Sequence, residues 1–469
     1  MKTEKKTKTR ANALDALRGI AIIGMVFSGV FPHENLWPAW MFHAQVGPPD
    51  FSYHPEIPGI TWVDLVFPFF LFSMGAAFPL ALRNKLGQAD NKELWGNILK
   101  RGALLVFFAI ALRHTNPGFL KAPLWINYLS GLVAFGSFFL IFMRWQTLSR
   151  LQGYLLKGLG FSLIFAVTLL HHYYTGFEIG LNRQDIIILV LANMAVFGAF
   201  IWIVTVKKPL LRLGVLACFA AIWLTREFSG SLSAMIYNFH PAVSWFYQFA
   251  FLKYLNIVIP GMLLGDLIVA YREKSYTSSS SLQKPYLLWI CTSLLLVNLL
   301  GLFTREIFLT VMANVVLCFA GGWILTNAGS GKEEMLKKLF YWGTFWLFLG
   351  LLFEPMDGGI KKDPSSFSYW FITSGLAFFT YLFCELISTY RSENVIWKSI
   401  VGAGQNPMVA YVAGSFCILP LFYFTGISKA FGSLKEISIY FGPVKSILVT
   451  ACVVALASFT ARKKWFWRT

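Results

Sequence analysis

His54, Glu56 and Asp64 stand close together in the stretch H-P-E-I-P-G-I-T-W-V-D-L-V-F-P-F-F-L-F-S-M-G, which runs from His54 to Gly75. An imidazole takes or gives a proton near neutral pH, and a neighbouring carboxylate fixes its tautomer and orientation. Glu56 and Asp64 are both candidates for that orienting role, and the sequence does not choose between them. Asp64 lies near the start of an apolar run of membrane length, where a charge is costly to bury and marks a site with work to do. Pro68, inside the same run, frees a backbone carbonyl that a neighbour or a water must satisfy.

Three further groups have types suited to chemistry. Gln405 and Asn406 precede Pro407 in G-A-G-Q-N-P-M-V-A-Y, Gly402 to Tyr411, where they can line a cavity and bind a cofactor or else satisfy an interrupted helix. Glu354 and Asp357, in F-E-P-M-D-G-G, end an apolar segment on the same side as His54 and can hold a polar acceptor. The basic residues Arg83, Lys100, Arg101 and Arg212 face the other side. Orientation and anionic lipid account for them, and a phosphorylated cofactor would draw on Arg83, Lys100 and Arg101 first, because Lys and Arg give charge-assisted hydrogen bonds.

Other chemistries find no footing. There is no H-E-x-x-H, G-x-S-x-G or P-loop, so metalloprotease, serine-esterase and ATPase readings lack support. His171 and His172 are adjacent and do not share a helix face. The six cysteines all sit in apolar segments as small hydrophobes, and no metal is called for.

The elements that must position these groups are membrane helices. Of 469 residues, 57% are hydrophobic and 13% charged, against about 25% charged in a soluble domain; the mean hydropathy is +0.60. Apolar runs of spanning length recur between short polar loops, which gives an all-α, polytopic transmembrane bundle. The best count is 14 helices, with a range of 11–14, because the runs at 102–113, 210–225 and 338–353 are short. Counting alternate loops from a cytoplasmic N-terminus puts 28 Lys and Arg inside and 11 outside. That bias places both termini in the cytoplasm and spreads the net charge of +18 over many loops, which excludes nucleic acid as a partner.

The whole chain, 1–469, reads as a single transmembrane domain. An outer loop, 32–61, carries His54 and holds no Lys or Arg. A Ser/Thr-rich cytoplasmic linker occupies 272–284. The first apolar run contains Asp15 and Arg18, three apart and able to pair, and is expected to remain as the first spanning helix.

The run L-D-A-L-R-G, Leu14 to Gly19, with the His54 loop and Trp62 to Gly75, resembles the membrane acetyltransferases related to heparan-alpha-glucosaminide N-acetyltransferase, here as a bacterial member. The likeness is best over 12–83 and returns at Pro260 to Gly265, Pro364 to Ala377 and Gly404 to Tyr411. It marks Asp15, Arg18, Gly19, Pro68 and Gly75 as structural motif positions. What the resemblance implies is acetyl transfer from cytoplasmic acetyl-CoA to a small-molecule sugar acceptor on the far side, N-acetyl transfer to an amino sugar ahead of O-acetyl transfer. His54, ten residues before Asp64, matches the family's active histidine, as general base or as transient acetyl carrier. The expected location is the bacterial inner (cytoplasmic) membrane, with membrane lipid as a partner and a homodimer compatible with the small residues along such helices. The competing reading is a transporter or flippase of a sugar or lipid-linked sugar, which fits broken helices and a buried Asp64.

Overall fold

A computed structural model describes residues 11–86, 91–145, 148–243, 246–273, 285–326 and 331–468. Most of the expected linker, 274–284, lies outside the described residues. The chain is helical: α1 Asn12–Val30, α2 Trp62–Leu82, α3 Asn91–Thr115, α4 Leu124–Phe142, α5 Arg150–Thr175, α6 Ile186–Thr205, α7 Leu211–Thr225, α8 Leu232–Asn238, α9 Phe249–Leu252 and α10 Leu255–Glu273 come first. After them follow α11 Pro285–Thr304, α12 Ile307–Ile324, α13 Lys332–Phe353, α14 Phe367–Tyr390, α15 Val395–Gln405, α16 Pro407–Ala413, α17 Leu419–Phe424, α18 Ile427–Ile437 and α19 Phe441–Arg462. No strand occurs among the described residues, where the β-type contact is an isolated bridge between Met143 and Trp467.

Thirteen helices among the described residues are long and apolar enough to cross a membrane, and α7 is apolar but has only 15 residues. Two of the three runs expected to be short are full-length: α3 has 25 residues and α13 has 22. Their charged first turns stay helical, since long Lys, Arg and Glu side chains reach the interface while their stems lie along apolar surface. The amphipathic helices α15 and α18 had no counterpart in the apolar pattern.

α2 sits at the centre, buried along most of its length, with α10 against one side and α1, α6 and α14 around it. Its approach to α10 is backbone on backbone. A Cβ at Gly75 would lie 2.0 Å from the Val258 carbonyl oxygen, and one at Gly261 would lie 2.1 Å from that of Phe72. α1 meets α15 in the same way, through Gly19 and Gly404. Without a hydrophobic force between helices in lipid, such close van der Waals approach is what holds them. Arg18 ties three helices at this level, donating to Asp15 at 3.2 Å, to the Gly404 carbonyl at 3.2 Å and to that of Ser73 at 3.5 Å.

Pro68 removes the donor that would have served the carbonyl four residues before it. That carbonyl belongs to Asp64, and the buried Tyr369 hydroxyl of α14 donates to it at 2.8 Å. Arg212, assigned from sequence to the basic face, is instead fully buried; it donates to Thr205 Oγ1 at 2.8 Å and pairs with Asp266, joining α6, α7 and α10.

The glycine contacts make a direct test. Gly75→Val should force α2 and α10 apart and cost about 1–3 kcal/mol as overpacking does, read as a lower melting temperature in detergent. A melting temperature equal to wild type would contradict the packing described.

Candidate active site

The loop 32–61 folds against the segment 354–366 between α13 and α14. Within it the helical content is one short 3-10 turn, Ala39–Met41. Gln45 staples the two segments: its Oε1 accepts from the Asp363 N–H at 2.9 Å and its Nε2 donates to the Pro55 carbonyl at 3.2 Å. The Gly59 N–H donates to the Ile360 carbonyl at 2.7 Å, and the Tyr53 hydroxyl to that of Asp363 at 2.7 Å. Backbone polar groups that would be orphaned in a buried loop are thereby paired.

His54 stands on the solvent side of this loop. Its Nδ1 faces Glu56 Oε1 at 3.2 Å, and its Nε2 faces Ser52 Oγ at 2.8 Å and Asp50 Oδ2 at 3.2 Å. With acceptors on both nitrogens, and Asp50 the larger influence, the imidazolium is favoured and its pKa lies above the ordinary 6.5. Asp50 itself is held down at about 2, chiefly by hydrogen bonds from Ser52.

Which acid reaches His54 was open in the sequence. Glu56 and Asp50 do so, and Asp64 is engaged elsewhere. Buried at the first turn of α2, Asp64 accepts the N–H groups of Thr61 at 2.9 Å and Ala44 at 3.1 Å on Oδ2. Its Oδ1 lies 2.6 Å from Nδ1 of His43. Lys362 places Nζ 3.1 Å from that nitrogen and 3.9 Å from Asp64. His43 and Lys362 carried no spacing signal: 21 and 298 residues separate them from Asp64 in the chain, and only the fold joins them.

The two acids expected to hold an acceptor have structural partners. Glu354 is buried and paired with Arg305, and Asp357 Oδ2 accepts the Ser368 N–H at 2.7 Å near the start of α14.

At the other end of the bundle the basic candidates separate. Arg83 pairs with Glu273 at 3.1 Å and Lys100 is exposed. Arg101 lines a cavity of about 390 Å³ with Arg18 and Arg468, and no acid is among the described residues that line it. Gln405 lies in a separate groove with Asn12, Ser458 and Arg462. Asn406 is a buried clasp: its Nδ2 donates to Thr460 Oγ1 at 3.0 Å and to the Trp465 carbonyl at 2.9 Å, and its Oδ1 accepts the Trp467 N–H at 3.3 Å. That clasp seats Trp467 among Phe108, Phe135, Phe138, Phe139 and Phe142 and brings Arg468 to the cavity. Nothing in the sequence pointed to Arg468.

A second cavity, of about 730 Å³, continues toward the C-terminal end of α1 and shares Met25, Ile187 and Tyr411 with the first. It carries Arg113, Asn116, Arg183, Gln184 and Asp185, and Tyr411 donates to Asp185 at 2.9 Å. No residue of the loop 32–61 lines either cavity. α1 stands between them: Met25, Ser28 and Gly29 face the outer cavity, while Phe27 packs on Trp62 and Phe31 on Phe42. Among the described residues no three His, Cys, Asp or Glu side chains come together as metal ligands would.

Comparison with known proteins gives two kinds of match. A family model described as "Domain of unknown function (DUF5009)" matches residues 10–268. Heparan-alpha-glucosaminide N-acetyltransferase of Mus musculus is 29% identical over 123 residues, 26% of this chain and 16% of the mouse protein. The Homo sapiens protein of that name is 33% identical over 116 residues, 24% of this chain and 15% of the human one. The match therefore spans about a sixth of the length of these relatives, a distant relationship to an N-acetyltransferase for a membrane-embedded helical protein.

Proposed function

We propose that this chain, which belongs to the family of that domain of unknown function (DUF5009), is a multi-pass acetyltransferase that takes acetyl groups from acetyl-CoA on the cytoplasmic side to an amino sugar on the other. The observation that carries the reading is the inner cavity, where Arg101 and Arg468 meet beside Arg18, itself paired with Asp15, and no acid is among the described residues that line the wall. Cationic side chains inside a spanning bundle are expensive unless a pathway or an anion calls for them. The phosphates of CoA supply such an anion, and guanidinium groups bind phosphate oxygens in bidentate fashion.

In this reading CoA keeps its charged end in the inner cavity, because it cannot cross lipid, and its pantetheine arm extends past Tyr411 into the outer cavity. The positive-inside count sets the direction, with the termini and the Arg101 end cytoplasmic in a bacterial inner membrane. The reacting imidazole is His54, at the outer face. As general base it accepts the proton that the acceptor loses on attacking the thioester carbonyl. Glu56 and Asp50 orient its ring, and the loop 32–61 is pinned by Gln45 and Tyr53. Meeting the thioester requires the outer end of α1, which separates cavity and loop, to shift. Transport, the rival reading, gives no task to an outer histidine flanked by two acids.

Two measurements test the reading. His54→Ala should lower transfer to glucosamine by about 10²–10⁴-fold while CoA binding persists. Because the acids, Asp50 first, raise the pKa of His54 above the ordinary 6.5, the neutral base accumulates only as pH climbs through the raised value, so wild-type transfer should rise with pH through a midpoint above 6.5 and fall as pH drops below it. Transfer at the wild-type rate in His54→Ala would remove the assignment. Arg101→Gln with Arg468→Gln should weaken CoA binding by about 10- to 100-fold, the worth of a lost hydrogen bond to a charged group. Unchanged CoA affinity would take the donor site elsewhere.

A further inference from the structure

The acetyl-transfer reading, on which this inference rests, leaves a proton unaccounted for. An amino sugar arrives near neutral pH largely as an ammonium ion. It must lose one proton before its nitrogen lone pair can attack the thioester carbon. It loses a second as the C–N bond forms and the C–S bond breaks. The departing CoA sulfur takes up one of the two and solvent receives the other, so two protons pass through the site and one imidazole serves one of them.

The loop that carries His54 holds a second imidazole in a more controlled setting. His43 Nδ1 lies 2.6 Å from Asp64 Oδ1, and the Asp64 side chain is 2% exposed while that of His43 is 37% exposed. A fixed, dry carboxylate on one ring nitrogen and solvent access at the rest of the ring is the arrangement by which an orienting acid sets up a histidine base. The bond requires the proton on Nδ1, which leaves the Nε2 lone pair free to accept. The carboxylate cannot turn away, because Thr61 and Ala44 hold its other oxygen and the Tyr369 hydroxyl holds the carbonyl of the same residue. Lys362 Nζ is 3.1 Å from Nδ1 and 3.3 Å from Nε2, nearly equidistant and aligned with neither lone pair, and it supplies the positive charge that a buried carboxylate needs. His54 differs: both of its ring nitrogens face exposed acids. The two histidines are tied together through the backbone, since the His54 N–H donates to the carbonyl of Gln45, two residues beyond His43, at 2.9 Å.

We propose that His43, oriented by Asp64 and flanked by Lys362, is a second catalytic residue of the transfer, the base that strips the acceptor's ammonium of the proton it must lose before attack. Asp64 and Lys362 are positioning residues. His54 then receives the proton released as the amide forms.

The test compares two acceptors in purified protein: glucosamine, an ammonium near neutral pH, and methoxyamine, a weakly basic amine already neutral there. With glucosamine, His43→Gln should lower kcat by about 10²-fold, the usual worth of one proton transfer, with the KM for acetyl-CoA unchanged. With methoxyamine the loss should be a few-fold at most. Asp64→Asn should follow the same pattern, and added imidazole should restore glucosamine transfer in His43→Ala. Equal losses on both acceptors, with no imidazole rescue, would assign His43 a purely structural part and overturn the proposal, as would a wild-type rate on glucosamine. A wild-type protein that acetylates neither amine ends the acetyl-transfer reading, and the proposal with it.

Discussion

A buried carboxylate at the head of the central helix is the constraint around which this end of the molecule is built. Asp64 starts α2 inside the protein, and an unpaired charge there would cost several kcal/mol. The partners that remove that cost are Thr61 at the helix cap, Ala44 and His43 further back in the loop, and Lys362 in the segment before α14. The loop and that segment are thereby drawn to one point, and Gln45 and Tyr53 fasten them around it. About three turns further in, Gly75 lets α10 lie directly on α2. One helix thus holds the acid that assembles the site and the glycine that fixes the helices beneath it.

The spans were legible because hydrocarbon demands about 20 apolar residues per crossing and the sequence supplies them in order. Pro68 was legible in its consequence too: the freed carbonyl did need a neighbour, and Tyr369 is that neighbour. Asp15 and Arg18 pair as their spacing requires. The partners of Asp64 were not legible, since no helical or strand period links residues 43, 64 and 362. The same holds for Arg212 and Asp266, and for Arg468, which reaches the inner cavity only because Asn406 clasps the segment before it. α15 escaped notice because an amphipathic helix packed on α1 and α19 lacks the continuous apolar run that marks a span.

The cavities give the bundle a polarity of its own. One end gathers guanidinium groups with no acid among the described residues of the wall, and the other gathers amides, two arginines and the Asp185–Tyr411 pair. The histidine loop stands beside that second end, across α1. A donor that carries phosphates on one side and a reactive carbonyl at the tip of a long arm suits such a division.

The most direct test of the two-sided scheme uses sealed vesicles reconstituted with the purified protein, radiolabelled acetyl-CoA trapped inside and glucosamine supplied only outside. The account expects labelled N-acetylglucosamine to appear in the external medium while CoA stays within. Label that remains inside, or glucosamine that enters unmodified, would contradict it.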